Sequence, residues 1–165
     1  MGWLQMVEIN PNSTLLTEEG YERLSKKVEE LQKKVQQNRA DMKRTADNGD
    51  LSENAGYMAA KEAYENHRGT LDDLRDVLNE ARIVSSEEMD AEEVGFGNAV
   101  TVKDLDEDKE YTYRIVGKHE ARIEHGEISL KSPVAQGLLD AETGEVVEID
   151  TPRGKARYEV VEIDK

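Results

Sequence analysis

The 165-residue chain has no cysteine. That excludes a disulfide framework and a thiolate-bound zinc, and it points to a reducing compartment, here the cytoplasm. Aromatic residues are few, with six Tyr, one Trp and one Phe, and proline occurs only three times. No apolar run approaches the ~20 residues that cross a bilayer as a helix. The opening Met1-Gly2-Trp3-Leu4-Gln5-Met6-Val7 lacks the basic start and apolar stretch of a secretory signal. With Met at position 6 it is not a myristoylation site either. The folded chain is expected to begin near Met6-Val7, after a short extension. Positive charge is also scarce, at 22 Lys+Arg against 37 Asp+Glu, a net −15. Such a chain repels phosphates as a whole. It is better suited to docking on a basic partner.

What remains is unevenly distributed. Residues 1–83 hold 12 basic and 16 acidic residues; residues 84–165 hold 10 and 21. After Pro11 the first part contains no proline, whereas the second has Pro133 and Pro152 among many Val, Ile and Thr. The expected fold class is α+β, with residues 1–84 forming an antiparallel coiled-coil hairpin and 85–165 a small α+β domain. The segment Ser85 to Glu93 reads as a polar linker.

Heptads organise the first part. Tyr21, Val28, Val35 and Met42 share one position, and Leu24, Leu31, Asn38 and Thr45 the position three later. A second seam runs through Tyr57, Ala60, Tyr64, His67, Leu71, Leu74, Leu78 and Ala81. Both are apolar at one end and polar towards the intervening turn, Asp47-Asn48-Gly49-Asp50. Two helices of about 30 residues would each be roughly 45 Å long. Thr17 is the expected N-cap of the first. The second part predicts strands near 98–104, 110–117, 126–131, 145–150 and 155–163, with a short helix near 133–140. Thr151-Pro152-Arg153-Gly154 is read as a hairpin turn. Phe96, Val100, Val102, Ile115, Ile128, Leu130, Val160 and Ile163 are the expected core.

The tip region, near 47–54, carries the chemistry. Asp50 and Glu53 lie three apart, where the second helix is expected to begin. One reading is a capping box, Asp50 at the N-cap and Glu53 at N3. The other is a pair of oxygen ligands for a divalent ion held mainly by a partner, since magnesium commonly takes one or two protein carboxylates. A calcium loop fails on spacing, because Met58 stands where the bidentate Glu is needed. His67 falls on the seam, where a packed histidine is the simpler account; His119 and His125 are scattered. No nucleophile triad or Gly-rich phosphate cradle is present. Eight basic residues between Arg23 and Arg44 face only three acids in that stretch. Either they form a solvated face, or Arg39, Lys43 and Arg44 contact a nucleic-acid backbone.

Several blocks, in order along nearly the whole chain, resemble the bacterial Gre-type transcript cleavage factors. They are Leu16-Thr17-Glu18-Glu19-Gly20 with Leu24; Gly49-Asp50-Leu51-Ser52-Glu53-Asn54-Ala55 with Tyr57 and Ala59-Ala60-Lys61-Glu62; Phe96 to Val102; Tyr113 to Gly117; and Ile128-Ser129 with Ser132-Pro133-Val134-Ala135. The resemblance implies a coiled coil followed by an FKBP-like domain. It implies an accessory factor rather than an enzyme, docking on RNA polymerase through the C-terminal domain, with Ser132 and Pro133 as candidates. The coiled coil would enter the secondary channel. There Asp50 and Glu53 would help hold the second magnesium ion, and the polymerase would cleave backtracked RNA. Arg39, Lys43, Arg44, Ser52 and Asn54 are the candidate contacts to polymerase or the nascent RNA 3′ end. No cofactor of its own, no membrane and a free monomer are expected. The run Thr45-Ala46-Asp47-Asn48-Gly49 departs from the family in lacking an Arg before the tip glycine. That keeps a channel-binding inhibitor open, beside a coiled-coil adaptor with no active-site role. Because one carboxylate pair is too few ligands for a nuclease, free RNA incubated with the protein and magnesium should stay full length on a denaturing gel.

Overall fold

The computed structural model describes residues 2–3, 14–47 and 54–165. Contacts divide the chain into a unit of residues 22–80 and a second unit that joins the described residues up to Tyr21 with Ala81–Lys165.

The helical unit follows from the heptads. Helix α1 spans Glu18–Ala46 and α2 spans Ala55–Glu80. Every seam position named above is buried or half-buried, while the positions between them are mostly exposed. Leu24, Leu31 and Leu71 are the most enclosed, and full burial of such a side chain stabilises by about 1.5–3 kcal/mol. The helices run antiparallel. Asn38 on α1 meets His67 on α2 at 2.7 Å, and Thr45 meets Asn54 nearer the connection. His67 is thus a seam residue, hydrogen-bonded across the pair.

The other unit is a curled mixed sheet with a helix on it. Strands β3 (Ala99–Asp104), β4 (Lys109–Val116), β5 (Glu127–Ser129), β6 (Val146–Thr151) and β7 (Gly154–Asp164) are ordered β5-β4-β3-β7-β6. Only β4 and β5 pair in parallel. Period-two alternation places Val100, Val102 and Asp104 of β3 on the buried face. Helix α3 (Pro133–Leu138) covers part of that face, with Gly137 against Ile149 of β6. Phe96 is fully buried, and the expected core residues all belong to this cluster, Ile128 at its margin.

Two short strands precede the sheet. β1 (Leu15–Thr17) and β2 (Arg82–Val84) pair in parallel, so both ends of the helical hairpin's sequence belong to the sheet unit. At this joint Thr17 caps α1, its Oγ1 accepting from the Gly20 amide at 3.0 Å. A buried carboxylate, Glu120, holds the cap. One of its oxygens accepts from the Thr17 amide at 2.9 Å, and the other from the Thr17 hydroxyl at 2.6 Å. The negative charge is favoured beside the helix N-terminus. Gly20 is required there, because a Cβ would overlap the Glu120 carboxylate. Gly117 is likewise pressed against the Leu15 carbonyl.

Two expectations are corrected. The segment 85–93 is not a free polar linker. A 3-10 turn at Ser86–Glu88 is tied by the Ser85 amide donating to Glu88 at 3.0 Å, and Met89 and Val94 are buried. Asn98, wholly buried, donates from Nδ2 to the carbonyls of Asp90 (2.6 Å) and Asp164 (2.9 Å) and accepts from the Gly95 amide (2.9 Å). Polar composition here reflects side chains spent on backbone groups. Nor does Trp3 lie outside the fold, while Met6-Val7 falls outside the described residues. Trp3 packs 6.1 Å from Phe96, centroid to centroid, and its amide donates to Asp140 at 2.7 Å. Gly20→Ala should destabilise the protein by about 1–3 kcal/mol, read as a lowered thermal midpoint; an unchanged midpoint would remove Glu120 from the account of how α1 starts.

Candidate functional site

α1 ends at Ala46 and α2 begins at Ala55, so the described chain enters the connection at Asp47 and leaves it at Asn54. Asp50, Ser52 and Glu53 lie outside the described residues. Asn54 determines how α2 starts. Its Oδ1 accepts from the Tyr57 amide at 3.0 Å, the N-cap to N3 bond, and its Nδ2 donates to the Thr45 carbonyl at 2.6 Å. One side chain therefore caps α2 and clips it to the last turn of α1. The capping box expected of Asp50 and Glu53 falls outside the described residues; the cap that the described chain shows for α2 is Asn54. The connection is rich in capping-type residues, and the bond to the Tyr57 amide identifies Asn54 as the one that caps α2. Thr45 hydroxyl back-bonds to the Asp41 carbonyl at 2.7 Å.

Just before the connection, Arg39, Lys43 and Arg44 are exposed on α1. Arg44 pairs with Asp41 at 3.0 Å along the helix, an exposed contact that contributes little and leaves Arg44 available. Arg39 and Lys43 make no ion pair with a described residue. The cationic run is therefore displayed to solvent rather than consumed in packing. Lys61–Glu65, Arg68–Asp72 and Arg75–Asp72 pair along α2.

In the sheet unit, Ser132 is the N-cap of α3, its Oγ accepting from the Ala135 amide at 3.3 Å, and Pro133 takes the first helical position. The turn before it is fixed by the Ser132 amide on the Ser129 carbonyl (2.8 Å) and by Gln136 Nε2 on the Leu130 carbonyl (2.6 Å). Lys131 and Pro133 are exposed on this rigid turn. Beside it lies a small cavity of about 60 Å³ lined by Leu15, Gly117, His119 and Leu130 among others. Sequence reading passed over Glu120 entirely. Gly20 in the first helical turn was the available signal, for a glycine there buys nothing unless a neighbour needs the space.

Family models match both parts of the chain: "Transcription elongation factor, N-terminal" over residues 14–83 and "Transcription elongation factor, GreA/GreB, C-term" over 87–165. Transcription elongation factor GreA of Chloroherpeton thalassium is 39% identical over 153 residues, covering 92% of this chain and 97% of that protein. The GreA of Phenylobacterium zucineum is 36% identical over 151 residues, covering 90% and 96%. Among solved structures, GreA factor homolog 1 of Thermus thermophilus aligns at 30% identity, over 93% of this chain and 100% of that one, with a TM-score of 0.42. Replacing Asn54 by Ala should cost about 1 kcal/mol of stability, seen as a lower thermal midpoint, whereas Asp50→Ser should leave the midpoint unchanged. On these matches, the chain belongs to the GreA/GreB family of transcription elongation factors.

Proposed function

We propose that the protein enters the secondary channel of RNA polymerase and stimulates the polymerase's own endonucleolytic cleavage of backtracked RNA. The observation that carries this is Asn54. It caps α2 and clips it to the last turn of α1, so the described ends of the connection that carries Asp50 and Glu53 are tied together. The eight-residue connection between α1 and α2 holds three acids, Asp47, Asp50 and Glu53, and the last two, which match the family's tip acids, are assigned to ligation. Their donor set suits the proposed ion, since magnesium takes carboxylate oxygens and keeps several positions for water and phosphate oxygens. When bound in the polymerase centre, that ion would supply charge stabilisation for the displacement at the phosphodiester.

The chain's own residues have separate tasks. Asp50 and Glu53 would supply oxygens from the connection between the two long helices. Arg39, Lys43 and Arg44 place positive charge just behind them, where the RNA backbone would pass; Ser52 and Asn54 stand beside the acids in sequence. Ser132 and Pro133, on a turn fixed by hydrogen bonds, form part of the docking surface. The chemistry belongs to the polymerase, and the protein acts as an accessory factor with no metal of its own. The missing Arg before Gly49 favours one second reading: the protein docks the same way but slows nucleotide addition.

Stalled, backtracked elongation complexes with magnesium separate these. Adding the protein should shorten the RNA from its 3′ end. Asp50→Asn or Glu53→Gln should reduce that rate by about 100-fold or more, the scale expected when a transition-state contact is lost. Competition with the parent protein should show the variants still bound. Cleavage at the parental rate by the double variant would refute the tip chemistry, and slowed nucleotide addition without cleavage would establish the inhibitor.

A further inference from the structure

The sheet unit carries a feature that the tip does not use. At the ends of β3, β4 and the β6–β7 hairpin, an open groove of about 500 Å³ is lined by Tyr111, Tyr113, Tyr158 and Asp104, with Pro152 and Arg153 on its rim. Period-two alternation explains the grouping. Asp104 is paired across the sheet with Tyr158, and Val102 and Val100 with Tyr111 and Tyr113, so all lie on the face that α3 covers elsewhere. Tyr111 and Tyr113 are stacked at 6.1 Å and 18°.

Asp104 is the unusual member. It is 94% buried, at 6% exposure, and its Oδ1 accepts the amides of Asp106 (2.8 Å) and Glu107 (3.0 Å). Among the described residues, no hydrogen bond is made to its other oxygen and no cation lies within ion-pair distance. A buried carboxylate is costly unless it is paired. Three neighbouring cations are committed elsewhere, Arg157 to Asp106 at 2.8 Å, Lys155 to Glu148 at 2.7 Å, and Lys103 to Asp108 at 2.8 Å, while Arg153 also lines the groove. The local field is negative. Burial, then the Asp104 charge, hold the Tyr113 phenol above its ordinary range; a hydrogen bond to Glu107, then burial, do the same for Tyr111.

We infer that this groove is a receptor for an arginine side chain of a basic partner protein, the guanidinium lying on the stacked tyrosines and pairing with the free oxygen of Asp104. Guanidinium is the cation of choice because it is planar, weakly hydrated and stacks on aromatic rings while donating hydrogen bonds at its edge. The net charge of −15 suits a basic partner. The inference does not rest on the tip chemistry, and it is tested without polymerase.

The probe is N-acetyl-arginine methylamide, titrated into the full chain carrying ring-labelled tyrosine and followed by NMR. The neutral citrulline analogue serves as control. Saturable shifts are expected for Tyr111, Tyr113 and Tyr158, while Tyr21, Tyr57 and Tyr64 of the helices stay still. Asp104→Asn retains the Oδ1 acceptor and hence the turn, and should weaken binding about tenfold or more. Tyr111→Leu removes one stacking face and should weaken it as well. Equal shifts from the citrulline compound, an undiminished response in both variants, equal movement of the helical tyrosines, or no shift at millimolar probe would each overturn the inference.

Discussion

Glu120 is the side chain on which the start of the fold depends. Its carboxylate is buried, yet it is well compensated: two bonds from Thr17, one of them from a hydroxyl that itself caps α1, and the favourable end of the helix dipole. Charge-assisted bonds of this kind are roughly twice as strong as neutral ones, and losing one partner leaves the other buried and unpaired. Much else follows from placing that carboxylate. Gly20 must lack a Cβ, Gly117 must allow Leu15 to pass, and β1 must reach β2 across 64 residues of intervening sequence. The sheet unit thus contains both the entry to α1 and the exit from α2 within its own hydrogen bonding.

The sequence disclosed the regular parts with good fidelity, and the reason is physical. Heptads and two-residue alternation are properties of many residues at once, so single exceptions do not obscure them. The seam positions from Tyr21 to Thr45 and from Tyr57 to Leu78 are enclosed as expected, and the five main strands start and end within about two residues of their expected bounds. What remained hidden depends on one residue finding a distant partner. The three-residue strands β1 and β2 carry too few positions to show a period. Asn98 looks like a loop residue until its carbonyl partners at Asp90 and Asp164 are known. At the tip, Asp50 and Asn54 are equally good caps in sequence; only the observed bond to the Tyr57 amide chooses between them. The acids themselves were visible because their meaning rests on spacing and on resemblance.

The hairpin's own design separates strength from register. Near the strand pair the seam is built from leucines and valines, which bury well but accept a neighbour one heptad away almost as readily. Near the connection it uses Asn38 with His67 and Thr45 with Asn54, each bond contributing about 0.5–1.5 kcal/mol. These pairs are satisfied only in a single alignment, because a slip would leave the polar groups half-buried without partners. The polar third of the seam thereby fixes where the chain leaves α1 at Asp47 and rejoins α2 at Asn54. A connection between two antiparallel helices takes its position from its endpoints more than from a greasy core. Modest stability at that end is a fair exchange for position.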